Sequence, residues 1–147
     1  MAMTYRSRAA ERERTKEGPE REELRVVNDQ FGAPTFAGFI AGATAQMLEQ
    51  TCSGDAARRR AVNGDTVHLV NGGATHWFGF ASEIFASDSV RQRMRAPRPI
   101  AIESSEFPTR ARRPTNSRLS TERARTLWKL EVPDWRESLA DCLSQLR

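Results

Sequence analysis

Tyrosine and lysine are scarce in this 147-residue chain, and their scarcity excludes one common catalytic arrangement. The only tyrosine is Tyr5, and the only lysines are Lys16 and Lys129. A tyrosine and a lysine one helical turn apart, in which the ammonium lowers the pKa of the phenol, therefore cannot occur. The glycines never fall at the GxGxxG spacing, so the sequence also lacks the phosphate-cradling loop that a dinucleotide requires.

Cysteine and histidine are equally sparse. Cys52 and Cys142 have no CxxC spacing, and we predict free thiols in a reducing cytoplasm rather than a disulfide. His68 and His76 have no second histidine or cysteine at ligand spacing, so we do not expect a metal site. The GxSxG, HExxH and Walker motifs are missing as well.

Long apolar runs and a large net charge are also missing. The longest weakly polar run, Phe31 to Leu48, is interrupted by glycine and threonine, and the charged N-terminus has no secretory apolar segment. We therefore predict a cytoplasmic chain with no membrane partner. The net charge is only +4, with a pI near 9.8. This balance favours anionic ligands in general, and because the arginines are not interleaved with aromatics we expect no nucleic acid partner.

The chain divides into a charged tail, residues 1–23, and one domain, residues 24–147. The tail has almost nothing to bury, so we predict that it is mobile. Strands are predicted at Leu24–Val27, 66–72 and 98–105. Helices are predicted at Phe36–Gln50, after Thr75, after Ser120 and over the C-terminal stretch, with caps at Thr35, Thr75, Ser120 and Asp134. The expected buried faces are Phe36, Ile40, Ala43 and Met47; Trp77, Phe80, Ala81, Ile84 and Phe85; Ala124, Leu127 and Trp128; and Trp135, Leu139, Cys142 or Leu143, and Leu146.

The stretch FPTRARRPTNSRL (107–119) concentrates arginine beside proline. Arg112 and Arg113 precede Pro114, whose ring fixes the local backbone and restricts Arg113 to extended geometry. Two guanidinium forks held in a stiff turn suit a diphosphate, and Asn116 adds a neutral hydrogen-bonding group. On the residues alone, an anion site and a solvated or salt-bridged structural turn both remain open.

Four segments together resemble the C-terminal half of the dTDP-4-dehydrorhamnose reductases, which are extended short-chain dehydrogenases. They are REELRVVNDQFGAPT (21–35), VHLVNGGATHWFGFASEIF (67–85), FPTRARRPTNSRL (107–119) and VPDWRESL (132–139). They follow the order and spacing of that family, and the resemblance covers about residues 20–147. It implies an α/β fold, namely the C-terminal substrate-binding part with a small sheet and three or four helices, without the N-terminal Rossmann domain.

The family's Rossmann domain binds NADPH or NADH and carries the catalytic threonine, tyrosine and lysine, while the C-terminal part closes over the dTDP-sugar. The resemblance thus implies reduction of dTDP-4-dehydro-L-rhamnose to dTDP-L-rhamnose by a full enzyme. The glycine-rich loop and the Tyr-xxx-Lys pair have no counterpart in this sequence. We therefore expect no cofactor, no catalytic residue and no activity of this chain alone.

The resemblance assigns dTDP-sugar binding to this chain. The RRP turn lies where related nucleotide-sugar enzymes place an arginine against the diphosphate, so Arg113, with Arg112 beside it, is the first candidate. The other candidates are Asn116 and Arg118, expected to order that turn, and Asp29, Gln30 and Thr35, expected to border the cleft, although Asp29 and Thr35 fit equally well as turn and cap residues. Some family members hold Mg²⁺ through carboxylates at a dimer contact, but this chain has Gly38 at that position, which argues against a metal-bridged dimer.

Two readings of function remain beside an inactive reductase half. The chain could be one half of a split reductase, with a separate Rossmann half as its partner, or it could be a non-catalytic binding or regulatory module; a homo-oligomer is compatible with either. Without a Rossmann half, apolar groups such as Trp77 and Phe80 would be left exposed, so we predict marginal stability for the isolated chain.

Overall fold

The computed structural model describes residues 22–54, 56, 59–60, 64–107, 109 and 111–146. Nearly all of the predicted tail, and also Arg110, lie outside this range. Along the chain the elements are β1 (Glu23–Val27), β2 (Phe31–Gly32), α1 (Ala37–Ser53), β3 (Thr75–His76), α2 (Trp77–Ala86), α3 (Asp88–Arg91), β4 (Arg98–Ile102), a 3-10 helix (Ser104–Glu106), α4 (Glu122–Trp128) and α5 (Trp135–Ser144). The α/β fold class is as predicted, and the described residues include four longer helices and the single-turn helix α3.

The chain forms two compact units. The described residues of the first are drawn from Met1–Asp29 and Trp77–Arg110, and those of the second from Gln30–His76 and Ala111–Arg147. Among the described residues, no helix is both long and apolar enough to cross a membrane.

The first unit is built on the parallel pair β1 and β4, in register from Glu23 opposite Arg98 to Val27 opposite Ile102. Both strands were predicted, although β4 ends at Ile102 and the 3-10 helix takes up the rest of the predicted segment. Helix α2 packs on both strands. Its predicted apolar stripe is half-buried, except for Trp77, which is 54% exposed.

The second unit joins the short antiparallel pair β2 and β3 to helices α1, α4 and α5. Its core cluster consists of Ala43, Ala124, Trp128 and Leu130, with Phe39, Met47, Val67, Leu69 and Leu127 packed against it. The predicted buried face of α4 is therefore confirmed.

The predicted face of α1 was wrong in part. Phe39, Ala43 and Met47, at intervals of four residues, face the core, whereas Ile40 is 39% exposed. Phe36 is not on the helix, because it occupies the N-cap position ahead of Ala37. At the C-terminal end of the chain, Trp135 is buried as predicted, but Leu146 lies beyond α5 and is exposed.

The predicted strand at 66–72 does not form. Burial alternates there as expected, with Val67 and Leu69 turned toward the core and Thr66 and His68 exposed. The backbone is not laddered to a neighbouring described strand, and only Gly72 makes an isolated bridge, to Asp134. The alternation correctly indicates a half-buried extended segment. A β-strand also needs hydrogen bonds to a second strand, and the pattern of one segment carries no information about such a partner.

The predicted caps had mixed outcomes. The capping box of α5 is confirmed: the Asp134 side chain accepts from Arg136 N at 2.9 Å, and the Glu137 carboxylate accepts from Asp134 N at 3.2 Å. Thr75 does not begin a helix, because it lies in β3. Ser120 accepts from Glu122 N at 3.3 Å, one residue ahead of the N-cap position of α4.

Candidate functional site

The arginine-bearing turn, residues 111–118 and below called the arginine turn, is attached to β2 through the backbone of one residue, Phe31. Phe31 N donates to the Thr115 carbonyl at 2.8 Å, and Ser117 N donates to the Phe31 carbonyl at 2.9 Å. This geometry forms an isolated parallel bridge between Phe31 and Asn116. The turn is therefore fixed immediately after Arg112, Arg113 and Pro114. Gln30, which is half-buried, directly precedes Phe31.

Arg112 and Arg113 are exposed, and neither forms a hydrogen bond or an ion pair with any residue that the structure describes. Arg123 in the same unit is engaged instead, since its Nε donates to Asp65 Oδ2 at 3.0 Å. The guanidinium groups of Arg112 and Arg113 thus keep their forked donors for an external anion. This arrangement argues against a salt-bridged turn, and both the anion site and the solvated turn stay open.

Asn116 and Arg118 interact with each other. The Asn116 side-chain carbonyl accepts from Arg118 N at 3.2 Å and from Arg118 Nε at 3.0 Å. The Arg118 guanidinium is thereby drawn back against its own turn. The contact is of the kind expected for an ordering role, and direct contact of either residue with substrate stays a prediction.

Thr35 does not cap α1. Its hydroxyl donates to the Ala33 carbonyl at 3.0 Å and accepts from Asn71 N at 3.2 Å. Helix α1 is capped instead by Asn71, whose side-chain oxygen accepts from Phe36 N at 2.9 Å. Thr35 therefore ties the segment before α1 to Asn71 within the second unit.

Asn71 is a key residue that the sequence reasoning missed. It is 2% exposed, and its amide nitrogen donates to the Pro133 carbonyl at 3.1 Å and to Ser138 Oγ at 2.7 Å. With Phe36 N as donor to its oxygen, every polar group of the side chain is paired, as a buried amide requires. An asparagine before a glycine pair resembles an ordinary turn residue, so only the apolar segment leading up to it hinted at burial.

The glycine pair after Asn71 is packed against the start of α5. Gly72 N donates to the Pro133 carbonyl at 2.8 Å, and Trp135 N donates to the Gly72 carbonyl at 3.1 Å. Gly73 has a φ of +76°, and a Cβ there would overlap the Asp134 carboxylate. Both the conformation and the space require glycine at this position.

Asp29 lies in the first unit, whereas the six other predicted site residues lie in the second. Its carboxylate accepts from Ser104 Oγ at 2.6 Å and from Ser104 N at 3.0 Å. The hydrogen bond from the Ser104 hydroxyl, and to a smaller extent that from the Ser104 N–H, holds the pKa of the Asp29 carboxyl below its ordinary value. Asp29 therefore acts in this structure as a turn residue that fixes the beginning of the 3-10 helix.

A polar groove of about 340 Å³ lies in the second unit. It is lined by Asn71, Gly72, Gly73, Leu119, Ser120, Thr121, Glu122 and Arg125, so it begins directly after the arginine turn and includes none of the predicted site residues. Among the described residues, no cluster of three or more histidine, cysteine or acidic side chains could hold a metal ion.

The four motif segments and the fold have counterparts in known proteins. Residues 11–147 match the family model of the RmlD substrate binding domain. The chain belongs to the RmlD substrate-binding domain family. The predicted membership is thereby confirmed, and the α/β elements described above form this family's substrate-binding part.

Relatives of this RmlD substrate-binding domain are full reductases. The chain is 40% identical over 133 residues to the dTDP-4-dehydrorhamnose reductase of Burkholderia thailandensis, covering 86% of this chain and 43% of that protein. It is 37% identical over 137 residues to that of Escherichia coli K12, covering 86% of this chain and 41% of that protein. The chain thus spans about two-fifths of the length of these relatives.

The fold is also found in a solved member of the family. A crystal structure of dTDP-4-dehydrorhamnose reductase from Bacillus anthracis, in complex with NADP, matches with a TM-score of 0.71 and 27% identity. The match covers 92% of this chain and 42% of that one. A reductase from Clostridium acetobutylicum matches with a TM-score of 0.67 and 26% identity, covering 91% and 43%.

Proposed function

We propose that this chain is the dTDP-sugar-binding part of a dTDP-4-dehydrorhamnose reductase, with Arg113 and Arg112 as the contacts for the diphosphate. The observation that carries the proposal is the pair of exposed guanidinium groups without partners among the described residues, on a turn that is fixed to β2. Each planar guanidinium can donate two parallel hydrogen bonds to a phosphate, which a lysine cannot. Holding the turn in place before binding lowers the entropy lost when the ligand docks.

The remaining predicted residues have supporting roles in this proposal. Asn116 holds the Arg118 side chain against the turn, Gln30 directly precedes β2, and Thr35 lies between β2 and α1. Asp29 bonds to Ser104 within the first unit, and we assign it to the turn there and not to the diphosphate contact.

The described residues do not fit a dinucleotide cofactor. Their one glycine pair before a helix, Gly72 and Gly73, is occupied by the start of α5, and the Asp134 carboxylate beside Gly73 would repel a phosphate. For the complete reaction, the family's NADPH-dependent reduction of the 4-keto sugar, we therefore propose that hydride transfer uses residues outside this sequence. This chain would contribute substrate binding.

The proposal is tested by titrating the chain with dTDP and with thymidine, followed by amide NMR shifts or calorimetry. We expect dTDP to bind more tightly than thymidine, because only dTDP carries the diphosphate. Arg113→Ala should weaken dTDP binding about 10- to 100-fold, since hydrogen bonds to charged groups contribute roughly 1.5–3 kcal/mol, and should leave thymidine binding unchanged.

Arg95→Ala is a matched control. Arg95 is an exposed arginine of the first unit whose ion pair with Glu22 spans 3.4 Å between largely exposed side chains. Its loss should leave dTDP binding unaffected. Equal binding of dTDP and thymidine, or equal losses in Arg95→Ala and Arg113→Ala, would refute the diphosphate assignment.

Exposed apolar side chains on both units fit either arrangement of the reductase, a Rossmann part in the same polypeptide or, as in a split reductase, in a second one. Trp77 in the first unit is 54% exposed, and Leu48 in the second is 60% exposed. A contiguous apolar patch around either side chain would indicate a surface that a partner covers, whereas single exposed apolar residues are ordinary. A Rossmann part in the same or another polypeptide is the partner that the family relationship favours.

A further inference from the structure

The turn that presents Arg112 and Arg113 is held by more than backbone pairing. The Ser117 hydroxyl donates to the Phe31 carbonyl at 3.0 Å, the same oxygen that accepts from Ser117 N at 2.9 Å. We propose that Ser117, seated against Gly32, is a positioning residue that fixes the arginine turn for the diphosphate. This inference rests on the proposed function and adds a residue pair to it.

The Phe31 carbonyl is the point of attachment. A carbonyl oxygen has two lone pairs, and here the backbone N–H and the hydroxyl of one residue occupy both. A third bond, from Phe31 N to the Thr115 carbonyl, closes the other side of the bridge. The turn can therefore not pivot about a single hydrogen bond.

Gly32 provides the space in which the hydroxyl sits. A Cβ on Gly32 would lie 2.9 Å from Ser117 Oγ, closer than carbon and oxygen pack without a bond. The φ angle of Gly32 is not positive, so another residue could adopt its backbone conformation. The requirement for glycine here is therefore one of space beside the hydroxyl.

Phe31 is itself fixed on its other side. β2 pairs with β3, placing Phe31 opposite His76, and the two rings meet edge to face with centroids 5.3 Å apart. The contact chain thus runs from β3 through Phe31 to Ser117 and the arginine turn. Ser117 acts on the ligand through this turn and touches no substrate itself.

Binding of dTDP gives the first test. Ser117→Ala should weaken dTDP binding about two- to tenfold, the effect of one partly solvated hydrogen bond, without changing thymidine binding. Ser117→Thr keeps the hydroxyl and should restore the affinity. A loss in both variants, or an equal loss for thymidine, would show that the serine has only a general structural role.

Gly32→Ala tests whether the Ser117 hydroxyl requires the space beside Gly32. The added methyl should displace the hydroxyl, which rotates freely, so we expect a folded protein with the same loss of dTDP affinity as Ser117→Ala. In the double variant the two losses should not add, because each removes the same contact. Additive losses would overturn the coupling between Gly32 and Ser117.

A measurement without ligand separates this inference from the proposed function. In wild type, ¹⁵N relaxation should show the amides of Arg112 and Arg113 as ordered as those of β2, and in Ser117→Ala their order should fall. Failure of the wild type to bind dTDP, with this loss of order, would reject the proposed function while the positioning role stands. Unchanged order in Ser117→Ala would reject the positioning role whatever dTDP does.

Discussion

At the scale of single residues, Asn71 joins more segments of the second unit than any predicted site residue does. Its side chain bonds to the start of α1, to the segment before α5 and to Ser138 within α5. These partners are 35, 62 and 67 residues away in sequence. No local sequence pattern encodes contacts over such separations. The sequence therefore predicted Thr35, which directly precedes Phe36, as the cap of α1 and did not indicate Asn71.

Asn71→Ala should destabilise the chain by on the order of 3 kcal/mol, because the Phe36 N–H and the buried Ser138 hydroxyl lose their bonds to Asn71 and the Pro133 carbonyl keeps only its bond from Gly72 N. Urea unfolding measures the change. Asn116→Ala is the matched control, since the exposed Asn116 side chain bonds to no described residue but Arg118, and it should change the stability by less than about 0.5 kcal/mol. Similar losses in the two variants would contradict the central role of Asn71.

At the scale of elements, α5 begins where its sequence says it should. The Asp134 side chain accepts from Arg136 N and the Glu137 side chain accepts from Asp134 N, so these two N–H groups at the start of the helix are paired locally. The same aspartate lies beside Gly73, which couples the start of the helix to the glycine pair after Asn71.

Asp134→Ala should therefore cost about 1 kcal/mol and speed amide exchange at Arg136, whose N–H donates to the Asp134 carboxylate. Thermal unfolding and hydrogen exchange check both effects. Asp141→Ala, an exposed aspartate near the C-terminal end of the same helix, should be neutral or slightly stabilising, because a negative charge there opposes the helix dipole. If Asp141→Ala is as harmful as Asp134→Ala, the capping argument fails.

Elements set by local chemistry were predictable, and those set by distant partners were not. β1, β4 and the capping box of α5 follow from β-branched runs and side chains within one turn of the helix. The segment 66–72 shows the alternation of a strand but pairs with no described strand, and α1 buries Phe39 beside Ala43 and Met47 where Ile40 was predicted. The arginine turn was recognised from Pro114 and its guanidinium groups, but its attachment to Phe31 depends on pairing that only the fold reveals.

At the scale of the whole molecule, few apolar side chains are deeply buried. In the described part they are Ala43, Val90, Ile102, Ala124, Trp128, Leu130 and Trp135, two of which are alanines that exclude little surface from water. The large side chains of Leu48, Trp77 and Phe107 remain exposed. Such a small core among the described residues supports the prediction of marginal stability for the isolated chain and the proposal that a partner covers its exposed side chains.

If the partner is a Rossmann part, supplying one in trans should restore catalysis. We expect the chain mixed with the separately produced Rossmann part of the Burkholderia thailandensis reductase to oxidise NADPH in the presence of the 4-keto sugar nucleotide. The melting temperature of the chain should rise with the concentration of that part, because a partner that binds only the folded state stabilises it by mass action. Arg113→Ala should reduce the restored activity while leaving the rise in melting temperature intact. A chain that binds dTDP and gains no stability or activity on mixing would instead be a binding module, because its exposed apolar groups would then serve a different partner.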